Sequence, residues 1–145
     1  MSLKKFLLSK NYESVKLKRI ATNHFQIKAK VNGVKGQFIL DTGASNSCLG
    51  FDEIEKFSLD TAHSDHKAAG AGPEEIDTLI SEDNTVKIGN FKLKKIDFVL
   101  IDLAHINKAL VKHNAEAVNG IIGADILDSG KAVIDYHKKK LYLKN

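Results

Sequence analysis

Residues 38–45 carry the arrangement with the most chemistry in it: Phe38-Ile39-Leu40-Asp41-Thr42-Gly43-Ala44-Ser45. An acid stands at the end of an apolar strand, and small residues then turn the chain sharply. A carboxylate in such a place is costly unless it is hydrogen-bonded or used. Glycine at position 43 lets backbone or substrate approach closely, and Thr42 supplies a hydroxyl that can brace the loop. An acid so placed suits general acid–base work on a water. The competing role is a structural aspartate closing a tight turn.

Other candidates are weaker. Cys48 is the one cysteine, so no intrachain disulfide and no all-cysteine metal site can form. No histidine is placed to activate it, and its expected role is packing. His63-Ser64-Asp65-His66 has metal-like spacing on a helix but no third or fourth ligand nearby, so no metal is expected. Gly70-Ala71-Gly72 lacks the lysine and third glycine of a phosphate loop. Asp128-Ser129-Gly130 could pass for a second acidic triplet. It follows a helical stretch, however, and Lys131 stands where a small residue belongs, so a helix end capped by Gly130 is expected.

These residues need elements to hold them. Positions 24–31 alternate apolar with polar as a half-buried strand does. Asn32-Gly33 is a strong hairpin signal, and Val34 to Leu40 is the return strand that delivers Asp41. A short helix is expected from Phe51 to Leu59, on the apolar spacing of Phe51, Ile54 and Phe57. Residues 60–84 read as polar and irregular. Strands are expected at Val86–Ile88 and Phe91–Ile101 around Gly89-Asn90. An amphipathic helix should span Leu103 to His113, capped by Asp102. Ile121-Ile122 is an apolar pair, Ala124–Leu127 a short helix, and Ala132–Tyr136 with Leu141–Leu143 a final hairpin.

Taken together, these segments resemble retropepsin-like aspartic proteases. Asp41-Thr42-Gly43-Ala44-Ser45 looks like that family's active-site loop. Val118-Asn119-Gly120-Ile121-Ile122-Gly123-Ala124-Asp125-Ile126-Leu127 resembles its second signature, whose apolar pair runs beneath the loop. Ala132–Tyr136 with Leu141–Leu143 resembles the closing hairpin of cellular and bacterial members. The resemblance covers roughly residues 24–145, with 1–14 as an N-terminal extension of a single domain. It implies a mainly β fold, one half of an acid-protease closed β-barrel with two or three short helices. It further implies a homodimer in which two Asp41 carboxylates share one proton, activate a water and hydrolyse a peptide bond, with no cofactor. By the same resemblance Thr42 bonds across the two loops, with Gly43 in support. Ala44, Ser45 and Asn46 contact an extended peptide or protein substrate, and Ala69, Gly70, Ala71 and Gly72 form a flap. Ser45 departs from the acid that many retroviral members carry there, and the helix at 103–113 looks like an insertion. The alternative is a catalytically silent dimeric peptide-binding module of the same fold.

Composition narrows the field further. With 145 residues, 43% hydrophobic and 28% charged, the chain is long enough and apolar enough for a core without staples. The net charge of +4 comes from lysines spread along the chain. The dense run Lys138-Lys139-Lys140 suits a hairpin turn, so no nucleic-acid partner is expected. No segment approaches the ~20 apolar residues of a membrane span, so no membrane partner is expected either. The start, Met1-Ser2-Leu3-Lys4-Lys5-Phe6-Leu7-Leu8, is too short in apolar residues for a signal peptide. The compartment is open: cytoplasmic if the chain is complete, periplasmic or exported if a leader has been removed.

Overall fold

A computed structural model describes residues 1–67 and 77–145, and of residues 63–67 and 77–78 the backbone only. The chain opens with α1 (Leu3–Ser9), β1 (Glu13–Lys16) and β2 (Lys18–Arg19). The central hairpin follows as β3 (Phe25–Val31) and β4 (Val34–Leu40). Its register runs from Phe25 opposite Leu40 to Val31 opposite Val34. Asn32 and Gly33 take φ of 51° and 83°, the left-handed pair that a two-residue hairpin turn demands. Beyond the acidic loop lie β5 (Cys48–Gly50), β6 (Thr61–Lys67), β7 (Asp77–Ile88) and β8 (Phe91–Ile101). Next come α2 (Ala104–Lys112), β9 (Gly120–Ile122), α3 (Ala124–Ser129), β10 (Val133–Asp135) and β11 (Lys140–Leu143).

Six strands close on themselves in the order β3-β4-β9-β5-β8-β7, because β7 returns to pair with β3. The barrel interior is filled by Ile27, Phe38, Leu40, Leu49, Phe57, Phe91, Phe98, Leu100, Ile122 and their neighbours. A second cluster, Ile20, Ile39, Leu103, Leu110, Val118 and Ile121, lies where α2 covers the outside of β4 and β9. This explains why Phe38-Ile39-Leu40 is apolar without alternation. Phe38 and Leu40 face the barrel, Ile39 faces the α2 side, and both faces are covered.

Several expectations are corrected. The helix expected at Phe51–Leu59 shrinks to one 3-10 turn, Phe51–Glu53. Ser58 at φ 53° breaks any continuation, and Phe57 is drawn fully into the barrel. Of residues 60–84, Thr61–Lys67 and the part of β7 from Asp77 onward are strand, and β6 and β7 pair antiparallel. The polar composition of this stretch carries no strand period that would have shown the pairing. His63 to His66 therefore lie on strand backbone, not on the helix that metal-like spacing requires. The N-cap of α2 is Leu103, which makes no side-chain capping bond, and not Asp102; one residue earlier, Asp102 Oδ1 accepts from the Ala104 N–H at 2.9 Å in a local turn.

α3 ends at Ser129 with Gly130 as its C-cap, as expected, although the left-handed residue is Lys131 (φ 48°) and Gly130 has φ −88°. Gly130 also leaves space that a side chain would fill: a Cβ there would stand 2.7 Å from Leu143 Cδ2 and 3.0 Å from Phe91 Cζ. The final hairpin is not self-contained either. β11 lies between β10 and β1 in a three-stranded sheet, with Glu13 opposite Leu143. The N-terminal extension is thus part of the fold. Among the described residues no helix is long and apolar enough to cross a membrane.

Candidate active site

Strand β4 ends at Leu40, and Asp41 is the first residue of the loop that follows. Its N–H donates to Ile122 O at 3.0 Å. This extends the parallel β4–β9 pairing, in which Leu40 lies opposite Ile122, by one bond. The apolar pair therefore runs directly alongside the strand that presents the acid. Asp41 Oδ1 accepts the Gly43 N–H at 2.9 Å, and the Ala44 N–H donates to Asp41 O at 3.2 Å. The carboxylate is thus oriented by its own turn, with its second oxygen left for other partners. Asp41, Thr42, Gly43, Ser45 and Asn46 are exposed, Ala44 is half-buried and Ser47 is fully buried.

What pins this loop is a set of residues to which sequence reasoning gave no role. The Ser47 Oγ–H donates to Asp125 Oδ1 at 2.6 Å, and the Ser47 N–H to Asp125 Oδ2 at 3.0 Å. Ser47 Oγ in turn accepts from the Gly123 N–H at 2.8 Å. The Ala124 N–H donates to Ala44 O at 2.7 Å. Gly123 is obligatory for close approach, since a Cβ there would lie 2.6 Å from Ala44 O. The start of α3 is thereby clamped under residues 44–47. The one available signal was Asp125, an acid in an otherwise apolar stretch. Its partner 78 positions away is invisible to local patterning.

Cys48 lies beside this clamp. Burial, then the nearby Asp125 and Asp41 carboxylates, push its thiol up to about 11. A thiol held neutral in this way is a poor nucleophile at ordinary pH, which rules against cysteine-protease chemistry. Its Sγ–H points to Asn46 O at 3.4 Å, and its side chain packs against the second cluster.

An open hollow of about 320 Å³ adjoins the loop, lined by Thr42, Ala124, Leu127, Asp128, Lys131, Ala132 and Ile134. Of the residues expected to contact substrate, Ala44, Ser45 and Asn46 follow Asp41 on one continuous surface loop. The expected flap residues Ala69, Gly70, Ala71 and Gly72 lie outside the described residues. Asp128 and Ser129 fall within α3, so that triplet is not a second copy of the Asp41 loop.

The family model for aspartyl proteases matches residues 27–126, and the chain belongs to that family. Its fold is retropepsin-like. A retropepsin-like aspartic protease from Rickettsia conorii superposes with a TM-score of 0.65 at 25% identity, over 91% of this chain and 90% of that one. The retroviral protease-like domain of Ddi1 from Leishmania major gives 0.57 at 18% identity, over 90% of each chain. The EIAV protease in complex with the inhibitor HBY-793 gives 0.54 at 19%, over 76% of this chain and 90% of that one. These last two likenesses speak to the fold alone. An uncharacterized Sinorhizobium sp. protein in the cobV 5' region is 36% identical over 55 residues, 38% of this chain. The chain spans 24% of that curated relative's length.

Proposed function

We propose that this protein is an aspartic endopeptidase whose active site forms between two copies of the chain acting as single domains. The observation that carries the reading is Asp41 itself. It is exposed, oriented by Gly43 and fixed from below by Ile122, yet each chain supplies one such loop. A two-fold dimer brings two of these loops together. Two adjacent carboxylates cannot both ionise cheaply, so they share a proton. The ionised Asp41 accepts a proton from a water, the protonated Asp41 donates to the scissile carbonyl, and the water oxygen attacks the carbonyl carbon. No covalent enzyme intermediate is needed.

The hollow beside Thr42 supports this arrangement. Leu127, Ala132 and Ile134 leave apolar surface open next to the loop, where a second copy could cover it while Thr42 bonds across. Gly43, Ala44, Ser45 and Asn46 would then contact the backbone of an extended peptide.

The test is cleavage of an unfolded protein mixture across pH 3–8 by wild type and Asp41→Asn, with new termini read by mass spectrometry and mass by sedimentation. The reading predicts a dimer that cuts as wild type and not as the variant. A folded dimer that never cuts but binds peptides, with or without Asp41, would replace it with a peptide-binding module.

A further inference from the structure

The lysines that look scattered along the sequence are gathered by the barrel. Residues 14–40 contain six basic residues and no acid, and residues 84–96 contain four and no acid. The strands made from these segments are neighbours. Lys35 on β4 lies opposite Lys30 on β3. Lys30 lies opposite Lys87 on β7, and Lys87 opposite Lys92 on β8. Four lysines on four adjacent strands therefore stand in one row, about 14 Å long at the strand spacing of a sheet.

Lys28 and Lys94 flank the row on the outward side, two residues along from Lys30 and Lys92. Five of these six lysines are exposed and Lys30 is half-buried. Lys28, Lys30, Lys35 and Lys87 line a groove of about 320 Å³ together with Gln37 and Gly89. Like charges placed directly opposite each other weaken a sheet, so the row works against the stability of the strands that carry it. It sits near the β3–β4 turn, six residues of β4 away from Asp41, at the other end of the strand from the acidic loop.

We propose that this row binds the phosphate backbone of a nucleic acid, without reading its sequence. Phosphate contacts need closely spaced lysines and little else. A protein partner would instead be met by aromatic and apolar anchors, with lysine depleted. A membrane surface would be met by side chains able to insert. The outward positions of the row offer neither aromatic nor aliphatic groups, and without aromatics there is no platform for stacking bases. The inference stands apart from the proteolytic reading, and Asp41→Asn should bind as wild type does.

The experiment is fluorescence anisotropy with labelled 20-nucleotide single strands of two unrelated sequences, from about 20 mM to about 200 mM NaCl. Four phosphate contacts predict a log–log salt slope of about −3, from roughly −0.7 per contact on a single strand. Both sequences should bind equally within about twofold. Lys30→Gln/Lys87→Gln should weaken binding at least about tenfold at the lowest salt and reduce the slope by about 1.4. Lys138→Gln/Lys139→Gln, outside the row, should change it far less. Circular dichroism checks folding, and Lys35→Gln/Lys92→Gln at the ends of the row repeats the test if the first pair fails to fold. Absence of saturable binding at the lowest salt, or variants of the row that bind as wild type, would overturn the proposal. Tighter binding of polyglutamate would overturn it in favour of an acidic protein, and tighter binding of phosphatidylserine vesicles in favour of a membrane.

Discussion

Replacing Asp125 by alanine should unfasten the acidic loop while leaving every loop residue in place. The Asp125 carboxylate accepts two hydrogen bonds from Ser47, at 2.6 and 3.0 Å, and Ser47 has no exposed surface. A hydrogen bond to a charged group contributes about 1.5–3 kcal/mol, and a buried donor left without a partner costs a similar amount. Two such bonds place the loss for Asp125→Ala at about 3–5 kcal/mol. At roughly 3 °C per kcal/mol for a chain of this size, the melting temperature should fall by ~10 °C or more. Asp125→Asn keeps one acceptor but turns an amide N–H2 toward the other donor, so about 1–2 kcal/mol is expected. Chemical denaturation followed by circular dichroism gives both values. A double-mutant cycle with Ser47→Ala should show coupling above ~1 kcal/mol. If Asp125→Ala lies within about 0.5 kcal/mol of wild type, or the coupling vanishes, the clamp does not hold the loop.

Gly123→Ala should be nearly as damaging, since its Cβ would lie 2.6 Å from Ala44 O. A loss of about 2–3 kcal/mol, with reduced cleavage by whatever protein remains folded, is the expected result of equilibrium unfolding and a peptidase assay. Leu110→Ala should remove about 2–4 kcal/mol by opening a cavity under α2, measured by the same unfolding experiment. For Cys48, the folded thiol keeps its proton until about pH 11, whereas an unfolded thiol ionises near 9.0. Stability should thus be unaffected by this group below pH 9 and decline as pH rises from 9 to 11. Alkylation of the folded protein should follow a midpoint near 11, and a midpoint at 9 or below would refute the burial described for this side chain.

Much of the fold was legible because the sequence states it locally. Asn32-Gly33 names its turn, the alternation over 24–31 names its strand, and the order of Asp-Thr-Gly-Ala-Ser and Ile-Ile-Gly names the family. Helix α2 was legible from its spacing, though its N-cap is Leu103 and not the expected Asp102. The failures share a physical cause, for they depend on contacts distant in sequence. Strands β6 and β7 are polar and draw their pairing from each other and from β8 and β3. Strand β1 exists because β11 offers it an edge. Gly130 reads correctly as the helix cap, but the closeness of Leu143 and Phe91, which its missing side chain also answers, could not be read. The candidate acid was visible as a residue, while the Ser47–Asp125 bracing behind it was not. Neither partner has a spacing that signals the other.

The pairing of β1 with β11 has a consequence for how the chain reaches this structure. Glu13 lies opposite Leu143 and Lys16 opposite Lys140, so nearly the whole chain is a loop that must close before this sheet exists. Closing long loops is entropically slow, and folds rich in such distant pairings fold late and cooperatively. During synthesis the β3–β4 hairpin can form as soon as it emerges, but β1 waits for the last strand. Until then Leu17, the residue just after β1, lacks the Lys139 carbonyl that its N–H donates to at 2.9 Å, and its side chain, buried in the finished fold, lacks its cover. Pulse-labelled hydrogen exchange should accordingly protect the β3–β4 amides before those of β1, making residues 13–17 a late reporter of complete folding.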